Sequence, residues 1–367
     1  MKLSAPLAHA SNISHTASRP VVRAEITLQL LLETVLAAVV QIDQVEPGTD
    51  TRGLDRCYQI VAECERLDNP GMPVQSRQSF GAWVSGFGDP RRIWLATDHA
   101  GRPAGCYVLS LPARENLTMA AALLAVVPAR RRAGIGTALL QHCAGQARRA
   151  SRLRLAGEAL DESPGAAFAA AAGARAGMAF VFRQLIIDAD LRTRLAGLRA
   201  ASRPHAAGYT LLSWLGATPE AYMGDSARLS AAMADAPTDA GVEPQIWDAS
   251  RIRAFEQILL NSSRQIYSVA ARHGATGCLA AITQVTTDPA NPDWAQQGIT
   301  AVLPEHRAHR LGPLTKTEML ELLIKRAQRG PGARKQGSDS HSASPTGKAT
   351  GSRTAYSARI FAYLACR

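Results

Sequence analysis

The sequence predicts an α/β (α+β) chain of two tandem domains, each a mixed, mostly antiparallel sheet with flanking helices, the second incomplete at its C-terminus. Three observations carry that expectation. Runs of strand period and of helix period follow one another along most of the chain. One order of elements occurs twice at a spacing of roughly 175 residues, far above the repeat lengths of solenoids. The 367 residues also suit two domains of ordinary size.

In chain order, residues 1–24 read as a disordered N-terminal extension, and Met1 to Pro20 lacks the apolar stretch of a secretory signal. The apolar segment Ile26 to Ile42 is interrupted by Gln29, Glu33 and Gln41 and is short for a membrane span. It is expected to form a buried or docked helix running into the first strand. Residues 25–190 then form the first domain. Helices are predicted at Arg52 to Arg66 and Ser76 to Phe87, with strands at Arg91 to Thr97, Gly105 to Leu111 and Leu117 to Val127. The amphipathic helix Ile135 to Arg148, a strand Arg152 to Ala156, a small-residue helix Ala166 to Ala172 and a strand Met178 to Ile187 complete it. Residues 191–207 read as a linker. The second domain, 208–329, has strands at Tyr209 to Leu215, Gln265 to Arg272, Gly277 to Thr286 and Ile299 to Leu303. Its helices lie near Pro219 to Ala234, Ala249 to Leu260 and Leu314 to Arg329. Residues 330–367 form a basic tail, and its stretch Gly330 to Ser357 is too polar to bury a core.

The run from Val127 to Leu140 is the most informative part of the chain, because an apolar strand ends there in an Arg/Gly loop that opens directly into a helix. Gly134 and Gly136 let the backbone approach a ligand closely. The first helical turn offers unpaired N–H groups and the positive end of the dipole, which together suit a pyrophosphate. The spacing Arg131-x-x-Gly134-x-Gly136 fits neither the Rossmann nor the Walker A pattern.

The neighbourhood of this loop is duplicated. Ile93 to Gly101 leading into Gly105 to Leu109 recurs as Ile266 to Gly274 leading into Gly277 to Ile282. The loop recurs at Val302 to Gly312, with Pro304 where Pro128 falls and Gly312 where Gly136 falls. Arg310 stands in place of Gly134 and Pro313 in place of Thr137, which reduces backbone freedom and removes one N–H donor. Proline in the first turn of a helix is permitted.

The first loop resembles the coenzyme A loop of the GNAT acetyltransferase superfamily. From about Gln41 to Arg326 the chain is similar to tandem GNAT proteins of actinobacterial type, distantly to relatives of mycothiol synthase. The resemblance implies acetyl-CoA as cofactor. Ala125, Val126 and Val127 would lie beside pantetheine, where the strands on either side of the loop splay apart. Arg131, Arg132, Ala133, Gly134, Ile135, Gly136 and Thr137 would surround the pyrophosphate, with charge added by Arg130, Arg131 and Arg132. Arg307, Ala308, His309, Arg310, Leu311 and Gly312 form a candidate second cofactor loop. The implied activity is N-acetyl transfer to the amine of an unidentified small-molecule or peptide acceptor, by a monomer or homodimer.

Such a transfer needs a neutral amine, a donor for the thioester oxygen and a proton for the leaving thiolate. Glu115, before the strand that feeds the loop, and Glu158, after the strand beyond its helix, are candidate bases. The plainer reading of each is a solvated carboxylate. Tyr267, Gln297 and Thr300 are candidates for an acceptor pocket, or ordinary strand residues. Many GNAT enzymes use a Tyr of the later helix as general acid; here that helix carries Phe168 among Ala and Gly. The Asn-rich helix and Gly-Tyr turn that close the second domain in relatives are also missing. The chain end is therefore expected to be a truncated or frame-shifted version of theirs, and a catalytically impaired CoA-binding pseudoenzyme or scaffold is the alternative function.

The formal charge of +11 invites a nucleic-acid reading, but its location argues against one. From Lys325 to Arg367 there are nine Lys and Arg and one acidic residue, so the tail alone holds +8 and the body is left with +3. Cys57, Cys64, Cys106, Cys143, Cys278 and Cys366 are scattered without C-x-x-C or a His cluster. They suggest reduced thiols in a cytoplasmic protein, with neither a disulfide framework nor a metal site.

Overall fold

The computed structural model describes residues 20–28, 40–85, 89–235, 239, 241–327 and 358–365. The first half comprises β1 (Val21–Thr27), β2 (Gln41–Val45), α1 (Thr51–Asp68), α2 (Arg77–Ser85), β3 (Arg91–Thr97), β4 (Pro103–Ser110), β5 (Met119–Val126), α3 (Ile135–Arg149), β6 (Arg154–Leu160), α4 (Pro164–Ala171) and β7 (Arg175–Ile187). The second comprises α5 (Ala189–Ser202), β8 (Tyr209–Leu215), α6 (Met223–Ala231), α7 (Ala249–Asn261), β9 (Gln265–His273), β10 (Leu279–Thr287), β11 (Trp294–Val302), α8 (Leu311–Ala327) and β12 (Ala358–Ala365).

These strands form one sheet in the order β2-β3-β4-β5-β6-β1-β7-β12-β11-β10-β9-β8. Each half is an antiparallel four-stranded meander whose last strand meets a parallel partner over three residues only. Met119 to Ala121 of β5 pair with Arg154 to Ala156 of β6, and Trp294 to Gln296 of β11 pair with Arg359 to Phe361 of β12. Such short parallel registers leave the rest of each pair splayed. The halves share a sheet because β7 is long: its N-terminal part pairs with β1, and its C-terminal part with β12.

Alternation of side chains across the sheet decides the layers. In β4, Cys106 and Val108 pack under α1 and α2 with Leu54, Cys57, Val61 and Phe80, whereas Tyr107 and Leu109 pack under α3 with Leu139 and Cys143. In the second half, α6 covers one face through Leu229, and α8 the other through Leu311, Leu314 and Met319. Helix starts follow the sequence. Asp50, Ser163, Asp188 and Asp248 cap α1, α4, α5 and α7 by accepting backbone N–H groups from the first turn.

Three expectations change. Ile26 lies in a strand, since the alternating run Val21–Thr27 satisfies its backbone between β6 and β7, and this strand takes in Val21 to Ala24 of the extension expected to be disordered; residues 29–39 of the expected helix lie outside the described residues. The linker is largely α5, held on α8 by Leu191 and Leu195 against Ile324 and by an Arg199–Glu321 ion pair of 2.5 Å. Ala358–Ala365, within the expected tail, is a strand that gives β11 the same kind of parallel partner that β6 gives β5.

Beyond the shared sheet, polar groups clamp the halves together. Glu115 accepts from Arg251 at 2.7 Å and from the Ile246 N–H at 2.8 Å. Asn116 exchanges three hydrogen bonds with Glu243, and Asp288 accepts from Ser76 and Ser79, each at 3.1 Å.

Candidate active site

The loop between β5 and α3 adopts a nest. Arg132 and Gly134 both have left-handed backbone, at φ 66° and 76°. The N–H groups of Arg132 through Thr137 meet no backbone acceptor among the described residues, so they form an anion-binding concavity at the positive end of α3. Gly136 lies beneath Phe168 of α4, and a Cβ added there would come 3.3 Å from the ring. The absence of a side chain therefore keeps the cradle open between α3 and α4.

The three arginines have separate destinations. Arg131 makes a two-pronged pair with Asp68 of α1, at 2.8 and 2.7 Å. Arg130 reaches Asp98 at 2.8 Å, which ties the loop to the β3–β4 hairpin. Asp98 is held well below the ordinary carboxylate range by the Arg102 N–H first, against burial, and then by the guanidinium groups of Arg102 and Arg130. Arg132 alone of the three is exposed with its guanidinium unassigned. The first two prop the cradle, and the third is open to solvent.

Next to the cradle a cleft of about 600 Å³ lies at the splay of β5 and β6; Phe168, which sits over Gly136, is on its wall, and residues 125–137 do not line it. Its walls include Leu140, Phe168 and Ala172 on the α3 and α4 side, and Trp83 of α2 on the other, so it passes through the sheet. The Val127 N–H donates to the Ala104 carbonyl at 3.0 Å. By alternation, the backbone groups of Leu124 and Val126 face the opening. The Val126 carbonyl is occupied, accepting from the Cys64 thiol at 3.3 Å and from Arg131 Nε at 3.4 Å. Of this edge Leu124 lines the cleft, whereas Ala125 and Val127, named from the sequence, turn their backbone groups toward β4.

The carboxylates named from the sequence are placed differently. Glu158 lines the cleft and pairs with Arg23 at 3.2 Å. Glu115 is buried in the clamp described above. Burial pushes its carboxyl up, but the bonds from Arg251 and Ile246 outweigh this and hold it below the usual range. Sequence reasoning passed over Glu65. It lines a second cleft, of about 450 Å³, between the halves; Trp83 and Leu123 line both clefts. Burial raises its carboxyl, opposed by the Gln75 N–H. The inward face of α1, Cys57, Ile60, Val61 and Cys64, was a usable signal, because Glu65 and Asp68 continue that stripe at helical spacing toward the loop.

The second loop copies the backbone of the first. Ala308 and Arg310 have φ of 70° and 50°, where Arg132 and Gly134 stand in the first. The left-handed arginine costs on the order of 1–2 kcal/mol, offset by its guanidinium donating to the Ala201 carbonyl at 3.3 Å. His309 is likewise fastened to the His205 carbonyl at 3.1 Å, and Tyr209 bonds His306 at 2.8 Å. Tyr267, Gln297 and Thr300 lie on β9 and β11: Tyr267 bonds Gln265, while Gln297 and Thr300 bond Thr283 of β10.

Burial, reinforced by His273, holds the His306 imidazolium below the ordinary histidine value. Its stabilising effect is therefore present above about pH 6.5 and lost as pH falls through the lowered folded value. An imidazole NMR titration should find His306 protonating below about pH 6.5, with the second loop loosening over the same range; titration above that range contradicts this.

Among the described residues, no His/Cys/Asp/Glu group is arranged to hold a metal ion, and no helix is long and apolar enough to cross a membrane. Residues 89–173 match the family described as the acetyltransferase (GNAT) domain. No curated protein matches the chain. Among solved structures, a tandem GNAT protein from the clavulanic acid biosynthesis pathway is 26% identical with a TM-score of 0.62, over 78% of this chain and 86% of that one. A GCN5-related glucosamine N-acetyltransferase region of a fungal multi-domain GH3 β-N-acetylglucosaminidase is 14% identical with a TM-score of 0.51. That match covers 81% of this chain and 35% of the other.

Proposed function

We propose that this chain, which has the tandem GNAT-superfamily acetyltransferase fold, is an acetyl-CoA-dependent N-acetyltransferase with its cofactor on the first loop. The observation that carries this reading is the nest of N–H groups at the start of α3, next to a cleft at the splay of β5 and β6 whose wall residue Phe168 sits over Gly136. The residues present fit the cofactor: Gly136 leaves room under Phe168, and the edge of β5 offers backbone groups for amide pairing. The N–H groups of Arg132 to Thr137, with the Arg132 guanidinium, would hold the pyrophosphate. When bound, the cofactor supplies the activated acyl thioester.

The chain's own contribution is position and proton transfer. Glu158, Glu65 and Asp288 are the carboxylates on cleft walls; Asp288 is taken up by Ser76, Ser79 and the Ala290 N–H, and we assign proton acceptance from the amine to Glu158 or Glu65. Glu115 would have to break its pair with Arg251 to do so. The Arg307 to Gly312 loop is a second candidate for cofactor, and the scattered free cysteines support a cytoplasmic setting.

One observation favours a second reading, of a CoA-binding pseudoenzyme: α4 carries Phe168 where many enzymes of the family carry a Tyr acid. Titration with acetyl-CoA, then assay of thiol release with a panel of primary amines, separates the two. Binding with amine-dependent release is expected. Binding without release supports the pseudoenzyme, and no binding removes both readings.

A further inference from the structure

The cleft between the halves has mixed walls, with Asn69, Gln75 and Asn291 beside apolar side chains such as Met72, Trp83 and Trp294. Arg264, at the turn between α7 and β9, also lines it, with a side chain 19% exposed. Arg264 Nη1 donates to Gln296 at 2.9 Å and Nε to Ser79 at 3.3 Å, while Nη2 bonds none of the described residues. The nearest carboxylate is a glancing partner. Asp288 lies 3.9 Å from Nε, and its oxygens already accept from Ser76, Ser79 and the Ala290 N–H. Burial accordingly lowers the Arg264 guanidinium below its ordinary value, with Asp288 only partly restoring it. A cation so placed is costly unless an anion completes its shell. Met72, Trp294, Trp83 and Leu123 line the same cleft, and Trp83 and Leu123 also line the channel through the sheet.

We propose that this interdomain cleft is the acceptor site, and that the acceptor is an amine that also carries a carboxylate, anchored by Arg264. The carboxylate takes the free edge of the guanidinium, whose planar fork suits it. The apolar side chains of the walls take the body of the molecule, and the amine is directed toward Leu123 and the splayed strands. Glu65 stands on the same wall. Two halves are then needed for one reaction: the first holds the acyl donor, and the second supplies the anchor that orients the acceptor.

This inference rests on the acyl-transfer reading above, and the experiment separates the two. Wild type and Arg264→Gln are first titrated with acetyl-CoA; equal affinities show that the variant is folded, and absence of binding to wild type is a failure of the underlying reading. Each protein, loaded with coenzyme A, is then titrated with matched pairs: L-lysine against cadaverine, and L-phenylalanine against phenethylamine. Wild type should bind the carboxylate member at least tenfold more tightly, and Arg264→Gln should lose that preference. With acetyl-CoA bound normally, equal binding of both members, a preference that survives in Arg264→Gln, or no binding of either carboxylate overturns the assignment.

Discussion

Thr137→Pro should weaken acetyl-CoA binding roughly ten- to hundredfold without unfolding the first domain. The substitution removes one N–H from the cradle, and a hydrogen bond to a charged partner is worth about 1.5–3 kcal/mol. The chain itself shows that the backbone tolerates it. Pro313 occupies the equivalent place in α8, whose loop has the same pair of left-handed residues, and proline in a first turn forfeits only a donor that the helix cannot use. Calorimetric titration with acetyl-CoA measures the affinity, and a thermal melt checks the fold. An unchanged affinity with an unchanged melt would place the pyrophosphate elsewhere. The reciprocal Pro313→Thr should strengthen any binding at the second loop, where Arg310 and His309 are fastened to carbonyls of α5 and the turn after it.

Arg251→Ala should cost on the order of 3–5 kcal/mol, because it strands a buried carboxylate. Glu115 is 6% exposed and Arg251 14%, at 2.7 Å, so water reaches neither freely. The same pair has a pH signature. The Glu115 carboxyl lies below its ordinary value in the folded protein, so its contribution is full above the ordinary carboxylate range and is lost as pH falls through the lowered value. Denaturant melts of wild type at falling pH should show that loss, and Arg251→Ala should be the more damaging at neutral pH. Glu115→Gln combined with Arg251→Ala should recover part of the stability, since removing both charges leaves nothing stranded. If the single variant melts like wild type, the clamp contributes nothing to holding the halves together.

Much of the fold was legible before the structure, for a local reason. The strand Tyr209–Leu215 and the helix starts at Ile135 and Ala249 are set by alternation, by capping and by glycine or aspartate at fixed offsets. The cradle was legible in the same way: an apolar strand, an Arg/Gly loop and an amphipathic helix are consecutive in sequence. The duplication was legible as aligned positions, with Arg310 in the place of Gly134. That 132, 134, 308 and 310 are all left-handed was not, nor was what secures Arg310 there, because the carbonyl of Ala201 lies 109 residues away.

What the sequence determined by itself is therefore what neighbours along the chain decide: two copies of one fold, a strand–loop–helix turn of the same shape in each, and the unequal residues between them. Tertiary structure decided where the charges go. Three consecutive arginines read alike in sequence, yet Arg130 and Arg131 are consumed by Asp98 and Asp68, and Arg132 alone is left exposed. Glu115 and Glu158 read alike too, yet one is locked in a clamp and the other lines the cleft. The strand Val21–Thr27 and the interdomain cleft with Arg264 likewise depend on segments distant along the chain. The physical reason is common to all of these: a side chain's charge is a local property, but its partner and its access to water are set only when distant segments meet.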